Sequence, residues 1–179
     1  MYETAYQRLE ESLTDLVAEE QAKLGYRKEE IRLYYPLSTL NHFFAAQFSA
    51  EEMQEALIGF SDASGERLGK TTVTHKAERF CFHLSPEASE YVHEQKAKNE
   101  FIEQLVALLS RHDITLEQVT AFFKSWDEAC EVEPVNNGEF DILIRFRGRD
   151  DRYYYCFKDE GCHIIYHRFL PEDYEDFGF

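Results

Sequence analysis

A chain of 179 residues, 44% apolar and 15% aromatic, is long enough and greasy enough to bury a core, which excludes a disordered segment. Its 35 Asp and Glu against 19 Lys and Arg leave a formal charge of −16, so its long-range field repels nucleic-acid phosphates and anionic lipid. No run approaches the ~18 apolar residues of a membrane span, and the N-terminus lacks the basic and apolar regions of a signal peptide, so the expectation is a cytoplasmic protein.

Tyr6, Leu9, Leu13, Leu16, Val17 and Leu24 recur at steps of three and four, which predicts a helix over about residues 3 to 24, stopped by Gly25. Ile31 to Tyr35 predicts a short strand, and Pro36 opens a helix bearing Leu37, Leu40, Phe43 and Phe44. Ser49 with Glu52 forms a capping box for a third helix through Met53, Ala56, Leu57 and Phe60, with Gly65 and Gly69 marking a loop after it. Residues 71–75 and 79–84 predict two strands joined at Lys76-Ala77-Glu78, and Ser85 with Pro86 starts the next helix.

That order resembles a winged helix, and Arg79-Phe80-Cys81-Phe82-His83-Leu84-Ser85-Pro86-Glu87-Ala88 resembles the last wing strand of such a domain running into a following helix. Separately, residues 24–37, Leu24-Gly25-Tyr26-Arg27-Lys28-Glu29-Glu30-Ile31-Arg32-Leu33-Tyr34-Tyr35-Pro36-Leu37, resemble a stretch of an uncharacterised bacterial family of unknown function. Neither resemblance implies an activity. The winged-helix one implies that the helix opened by Ser49 would enter a major groove, yet it presents Glu51, Glu52 and Glu55 and no cation. Arg67, Lys70, Lys76 and Arg79 near the wing are the contrary feature.

From Pro86 the helical pattern runs through Tyr91 and Val92, thins over 93–100 and returns with Phe101, Ile102, Leu105, Val106 and Leu109, as one long helix or a kinked pair. Thr115 with Gln118 caps a last helix bearing Val119, Phe122, Phe123 and Trp126. The period then becomes two, and four strands are expected near 130–135, 139–147, 152–158 and 162–169, in an antiparallel meander. The expected fold class is α+β: a winged-helix-like part over 1–96, then helices packed on the meander over 97–179, unless the two are one continuous domain.

Gly148 to Asp151 as a four-residue loop sets 147 opposite 152, and Gly161 closing a three-residue loop sets 158 opposite 162. Phe140, Ile142, Ile144, Tyr155, Phe157 and Ile165 then face the helices, while Arg145, Arg147, Arg152, Tyr154, Tyr166 and Arg168 share the other face as a candidate ligand site. Guanidinium forks on such a face suit a carboxylate, a phosphate or an acidic partner. The plainer alternative is that these arginines cover the sheet or pair with the acidic tail Glu172-Asp173-Tyr174-Glu175-Asp176.

Cys156, Cys162, His163 and His167 invite a zinc reading, but in this register both histidines face away from both cysteines, so no metal or cofactor is expected and Cys81, Cys130, Cys156 and Cys162 are expected as free thiols. The adjacent pairs Glu10-Glu11, Glu19-Glu20, Glu29-Glu30 and Glu51-Glu52 read as solvated surface, and Cys81 and His83 share a strand face too far apart for proton transfer. No hydrolase, nucleotide-phosphate, dinucleotide or zinc-protease motif is present, which leans against an enzyme. The reading is a cytoplasmic, non-enzymatic protein-interaction or regulatory module whose partner is a protein. The alternatives are an enzyme or small-anion binder using the Arg/Tyr face, and a DNA-binding winged helix, although neither nucleic acid nor membrane is an expected partner.

Overall fold

The computed structural model describes residues 2–95 and 99–176. The chain is α+β and divides into two compact units, residues 1–102 and 103–179. Among the described residues, no helix is long and apolar enough to cross a membrane.

In the first unit, helix α1 (Glu3–Leu24) buries Leu9, Leu13 and Val17 on one stripe and ends where Gly25 turns left-handed and donates its N–H to Gln21. Strand β1 (Ile31–Pro36) leads into α2 (Leu37–Phe44), and the Asn41 side-chain amide bonds both backbone groups of Phe48 to shape the turn into α3 (Ala50–Ala56). The capping box of Ser49 and Glu52 forms as its spacing predicts. The helix beyond it does not run on to Phe60: it breaks at Leu57-Ile58-Gly59, and α4 (Phe60–Leu68) starts afresh with Gly65 inside it. Gly59 lies against Tyr6, where a Cβ would sit 3.0 Å from the phenol oxygen that donates to the Ala56 carbonyl. Gly69 ends α4 at φ 61°, and a Cβ there would lie 2.5 Å from the Ser85 hydroxyl.

Strands β2 (Thr72–Lys76) and β3 (Arg79–Leu84) form a hairpin whose connection is two residues, Ala77-Glu78, so Lys76 belongs to the strand and not to the turn. The sheet has the order β1-β3-β2, all antiparallel. Its inner face presents Tyr35, Phe80 and Phe82, each no more than 1% exposed, with Phe60 and Phe43 packed edge-on. Each such side chain contributes ~1.5–3 kcal/mol by burial. Helix α5 (Pro86–Gln95) is tied to α1 by the Gln21 amide, which donates to the Ser89 carbonyl at 2.8 Å.

The predicted solvated surface along α1 is corrected at two positions. Glu10 is 7% and Glu19 4% exposed. Glu10 meets Arg67 of α4 at 2.6 Å, and Glu19 meets Lys23 one turn on at 2.6 Å. Burial pushes the Glu10 carboxyl above the ordinary range despite that guanidinium.

Helix α6 (Glu100–Leu109) is separate from α5, and residues 96–98 between them lie outside the described residues. In the second unit α7 (Leu116–Trp126) opens on the predicted box of Thr115 and Gln118. The meander follows as β4 (Glu131–Pro134), β5 (Ile142–Arg145), β6 (Tyr154–Asp159) and β7 (Ile164–Phe169), in the order β4-β5-β6-β7. Phe123 of α7 lies on one face, its ring 5.3, 5.1 and 5.7 Å from those of Phe146, Tyr155 and Phe157. The Asp127 carboxylate accepts the N–H groups of Arg147 and Gly148, pinning the end of α7 to the β5–β6 connection.

The β5–β6 register is the expected one, with Ile142 opposite Phe157 and Ile144 opposite Tyr155. The β6–β7 register is not. Gly161, at φ 84°, forms a two-residue turn with Cys162, flanked by the Glu160 N–H bonding the His163 carbonyl, so Phe157 faces Tyr166 instead of His163. That offset of three residues inverts β7: Ile164, Tyr166 and Arg168 are buried while Ile165, expected in the core, is 41% exposed. Ile144, Tyr155 and Phe157 are buried as expected and Ile142 is half-buried, whereas Phe140 is buried on the face opposite to the one expected, because it packs with Leu143 and Cys156. On the opposite face Phe140, Leu143 and Cys156 form a small second core, against which Val135, Tyr154, Phe169 and Tyr174 pack, the last from the short C-terminal helix α8 (Pro171–Asp176).

Candidate functional site

The inverted β7 separates the arginines and tyrosines predicted to share one face of the meander. Arg145 and Tyr154 stand on the Leu143 side, with the guanidinium 5.7 Å over the phenol ring, whereas Tyr166 and Arg168 alternate onto the Phe157 side, where Arg168 lies 4.1 Å over Tyr153. Arg145 and Arg147 converge on the Glu131 carboxylate at 2.6 and 2.8 Å, which holds that carboxyl below its ordinary range. Arg152 meets Glu172 of the acidic tail at 2.5 Å, and Lys158 lies 3.7 Å from Asp141. Arg149 is stacked 4.9 Å from both Trp126 and Phe146. Each cation of strands 139–169 is therefore already engaged by an acid or an aromatic ring of its own unit.

The same register changes the cysteine and histidine geometry. His167 lies opposite Cys156, on the same face and not the reverse. Cys156 is wholly buried, its thiol pushed up to about 12 by burial, whereas Cys162 is exposed in the turn with its sulfur 3.1 Å from Nδ1 of His163. Among the described residues no group of three or more His, Cys, Asp or Glu is placed to hold a metal.

A different surface concentrates positive charge. On the outer face of the β1-β3-β2 sheet, cross-strand pairing makes three rows: Arg32, His83 and Thr72; Tyr34, Cys81 and Thr74; Pro36, Arg79 and Lys76. None of these is acidic. Arg32, Tyr34, Arg79, Lys76, Thr72 and Thr74 are exposed, His83 is half-buried, and Cys81 is buried. The Arg79 guanidinium lies 5.3 Å over the Tyr34 ring. Glu30, the acid next to the first row, meets Arg32 only at 3.7 Å with both side chains more than half exposed, a pair that neutralises little.

Lys76 and Arg79 were visible in the sequence as wing cations, and Cys81 and His83 as sharing a strand face. Joining them to Arg32 and Tyr34 requires the long-range pairing of β1 with β3, which no turn signals. The local trace was the alternation of Arg32 and Tyr34 with the inward Ile31, Leu33 and Tyr35.

Strands lie ~4.8 Å apart and alternate residues ~6.7 Å, so Arg32 and Lys76 stand ~16 Å apart across the grid. The cations of this face do not converge on one point, an arrangement that suits several carboxylates on one extended polymer better than one small anion. Across residues 6–178 the chain matches the family described as "Domain of unknown function, E. rectale Gene description (DUF3877)". No curated protein and no solved structure matches it, and the winged-helix resemblance is not confirmed.

Proposed function

Since the chain belongs to the DUF3877 family, a family of unknown function, we propose from its own geometry that the protein is a non-enzymatic interaction module whose outer β1-β3-β2 face docks an acidic segment of a partner protein. The observation that carries this reading is the grid in which Arg32, Lys76 and Arg79 surround an exposed tyrosine with no carboxylate among them, on a chain of charge −16. In water each close charge pair contributes only ~1 kcal/mol, so docking is salt-sensitive and needs several contacts.

Duplex DNA bound in the winged-helix manner is a poorer occupant, because α3, the helix that would enter the major groove, presents exposed Glu51, Glu52 and Glu55 and no cation. The same reading places the protein in the cytoplasm, in keeping with four cysteines that form no disulfide. The test compares proteins retained from native extract by the wild type and by Arg32→Glu with Lys76→Glu. The partner should be lost at least tenfold with an unchanged Tm, since both sites are exposed. An identical retained set, or wild-type binding to random duplex DNA at ~150 mM salt, contradicts the reading.

A further inference from the structure

The β2 edge indicates how such a partner would be held. Lys76 and Arg79 flank a two-residue connection and so form a mutually hydrogen-bonded pair, as do Thr74 with Cys81 and Thr72 with His83. By that alternation Val73 and His75 direct their N–H and C=O groups away from β3, toward the side on which the sheet ends. Edge strands are ordinarily guarded by lysine, proline, a bulge or an inward-pointing charge. Strand β2 carries only the lysines, which repel another basic edge and not an acidic one: four of its five residues are exposed, Val73 is half-buried, and the sequence from Lys70 to Lys76 contains no acid. Exposed lysines stand at both ends of this edge, Lys70 just before the strand and Lys76 at its close.

Resting on the acidic-partner reading above, we propose that the partner segment adds to β2 as a further antiparallel strand, continuing the all-antiparallel sheet, extended and with carboxylates on every second residue. Those carboxylates share the outer face with Lys76, and Lys70 stands just before the strand at its other end. The alternate residues lie beside Val73 and His75 on the inner side, and their own backbone groups bond β2, because directly paired residues share a face. Main-chain bonds then supply affinity and the lysines select for acid.

This geometry separates two isomeric probes. The parent is an acetylated, amidated ten-residue peptide of alternating Glu and Thr. One isomer is N-methylated at every Thr and the other at every Glu, with equal mass and charge. With Glu on the lysine side, the Thr backbone groups must meet β2, so methylating them removes the pairing edge, whereas methylating Glu leaves it intact. Titrations at about 50 mM salt, where exposed charges are weakly screened, should find the Glu-methylated isomer within about twofold of the parent and the Thr-methylated isomer at least about tenfold weaker. Val73→Pro, which removes one outward N–H and no charge, should weaken the parent at least about fivefold. If both isomers bind alike and Lys76→Glu weakens both, strand addition is overturned while the acidic-face reading stands. If no peptide binds the wild type, both are overturned.

Discussion

Truncating Phe123 tests the helix-on-sheet layer of the second unit directly. Its side chain is fully buried, with three aromatic rings between 5.1 and 5.7 Å from its own. Phe123→Ala removes that contact and leaves a cavity whose walls, Phe146, Tyr155 and Phe157, are themselves held by the sheet, so collapse is limited. Buried Phe→Ala changes cost ~3–5 kcal/mol, and the three ring pairs place this one toward the upper end. For a unit this size, where ~1 kcal/mol shifts Tm by ~4–8 °C, the expected fall is at least ~15 °C. The neighbouring Phe122 is only half-buried, with Trp126 at 6.3 Å, so Phe122→Ala should cost about 1 kcal/mol. The single tryptophan, Trp126, lies in this unit, so its fluorescence during heating reports unfolding there, and calorimetry supplies the enthalpy. Equal losses, or a greater loss at Phe122, would mean that α7 presents a different face to the sheet and would refute the packing argument.

Other expectations follow from strain, titration and thiol burial. Ala77 holds φ 51° in the β2–β3 turn, so Ala77→Gly should raise Tm slightly, the ~1–2 kcal/mol steric cost outweighing the ~0.5–1 kcal/mol entropy cost of glycine; a lower Tm would contradict this. Gly65 is exposed within α4 with open space at its Cβ, so Gly65→Ala should stabilise by up to ~1 kcal/mol, whereas Gly69→Ala should destabilise through the Ser85 clash, and equilibrium denaturation of the pair decides. Glu131 and Asp127 titrate below the ordinary carboxylate range, so their stabilisation is present above that range and lost as pH falls through their folded values; Tm against pH should be flatter on the acid side in Glu131→Gln. Glu10 is shifted upward, so its contribution is full below the ordinary value and lost as pH rises through the folded one, and Glu10→Gln should remove that loss. With Cys162 exposed and the other three thiols buried, one thiol should react fast with a disulfide reagent in the native protein and four after denaturation.

Local signals carried far in this chain where one interaction decides the outcome. Ser49 with Glu52 and Thr115 with Gln118 each satisfy two orphan N–H groups, and both boxes form where their spacing places them. The β5–β6 register also follows from the residues, because Ile142 and Ile144 must meet Tyr155 and Phe157 for any face to be apolar. Strand β7 has no such constraint. Ile164 and Ile165 are adjacent, and Tyr166, His167 and Phe169 place aromatic rings on both parities, so either register buries apolar surface and the turn decides. Gly161 serves a two-residue loop or the end of a three-residue one equally well by composition, and the shorter choice moved Tyr166 and Arg168 away from Arg145 and Tyr154. The basic face of the first unit stayed hidden for the opposite reason: β1 and β3 are separated by three helices, so no turn relates Arg32 to His83.

The account stands most directly on where acidic polymer touches the protein. Backbone amide shifts of uniformly labelled protein, followed during titration with poly-L-glutamate at about 50 mM salt, read both units at once. The account predicts the largest shifts over Thr72–Lys76, Arg79–His83 and Arg32–Tyr34, abolished by Arg32→Glu with Lys76→Glu. Shifts confined to Arg145, Arg147, Arg152 and their neighbours, or shifts that survive that double substitution, would contradict it.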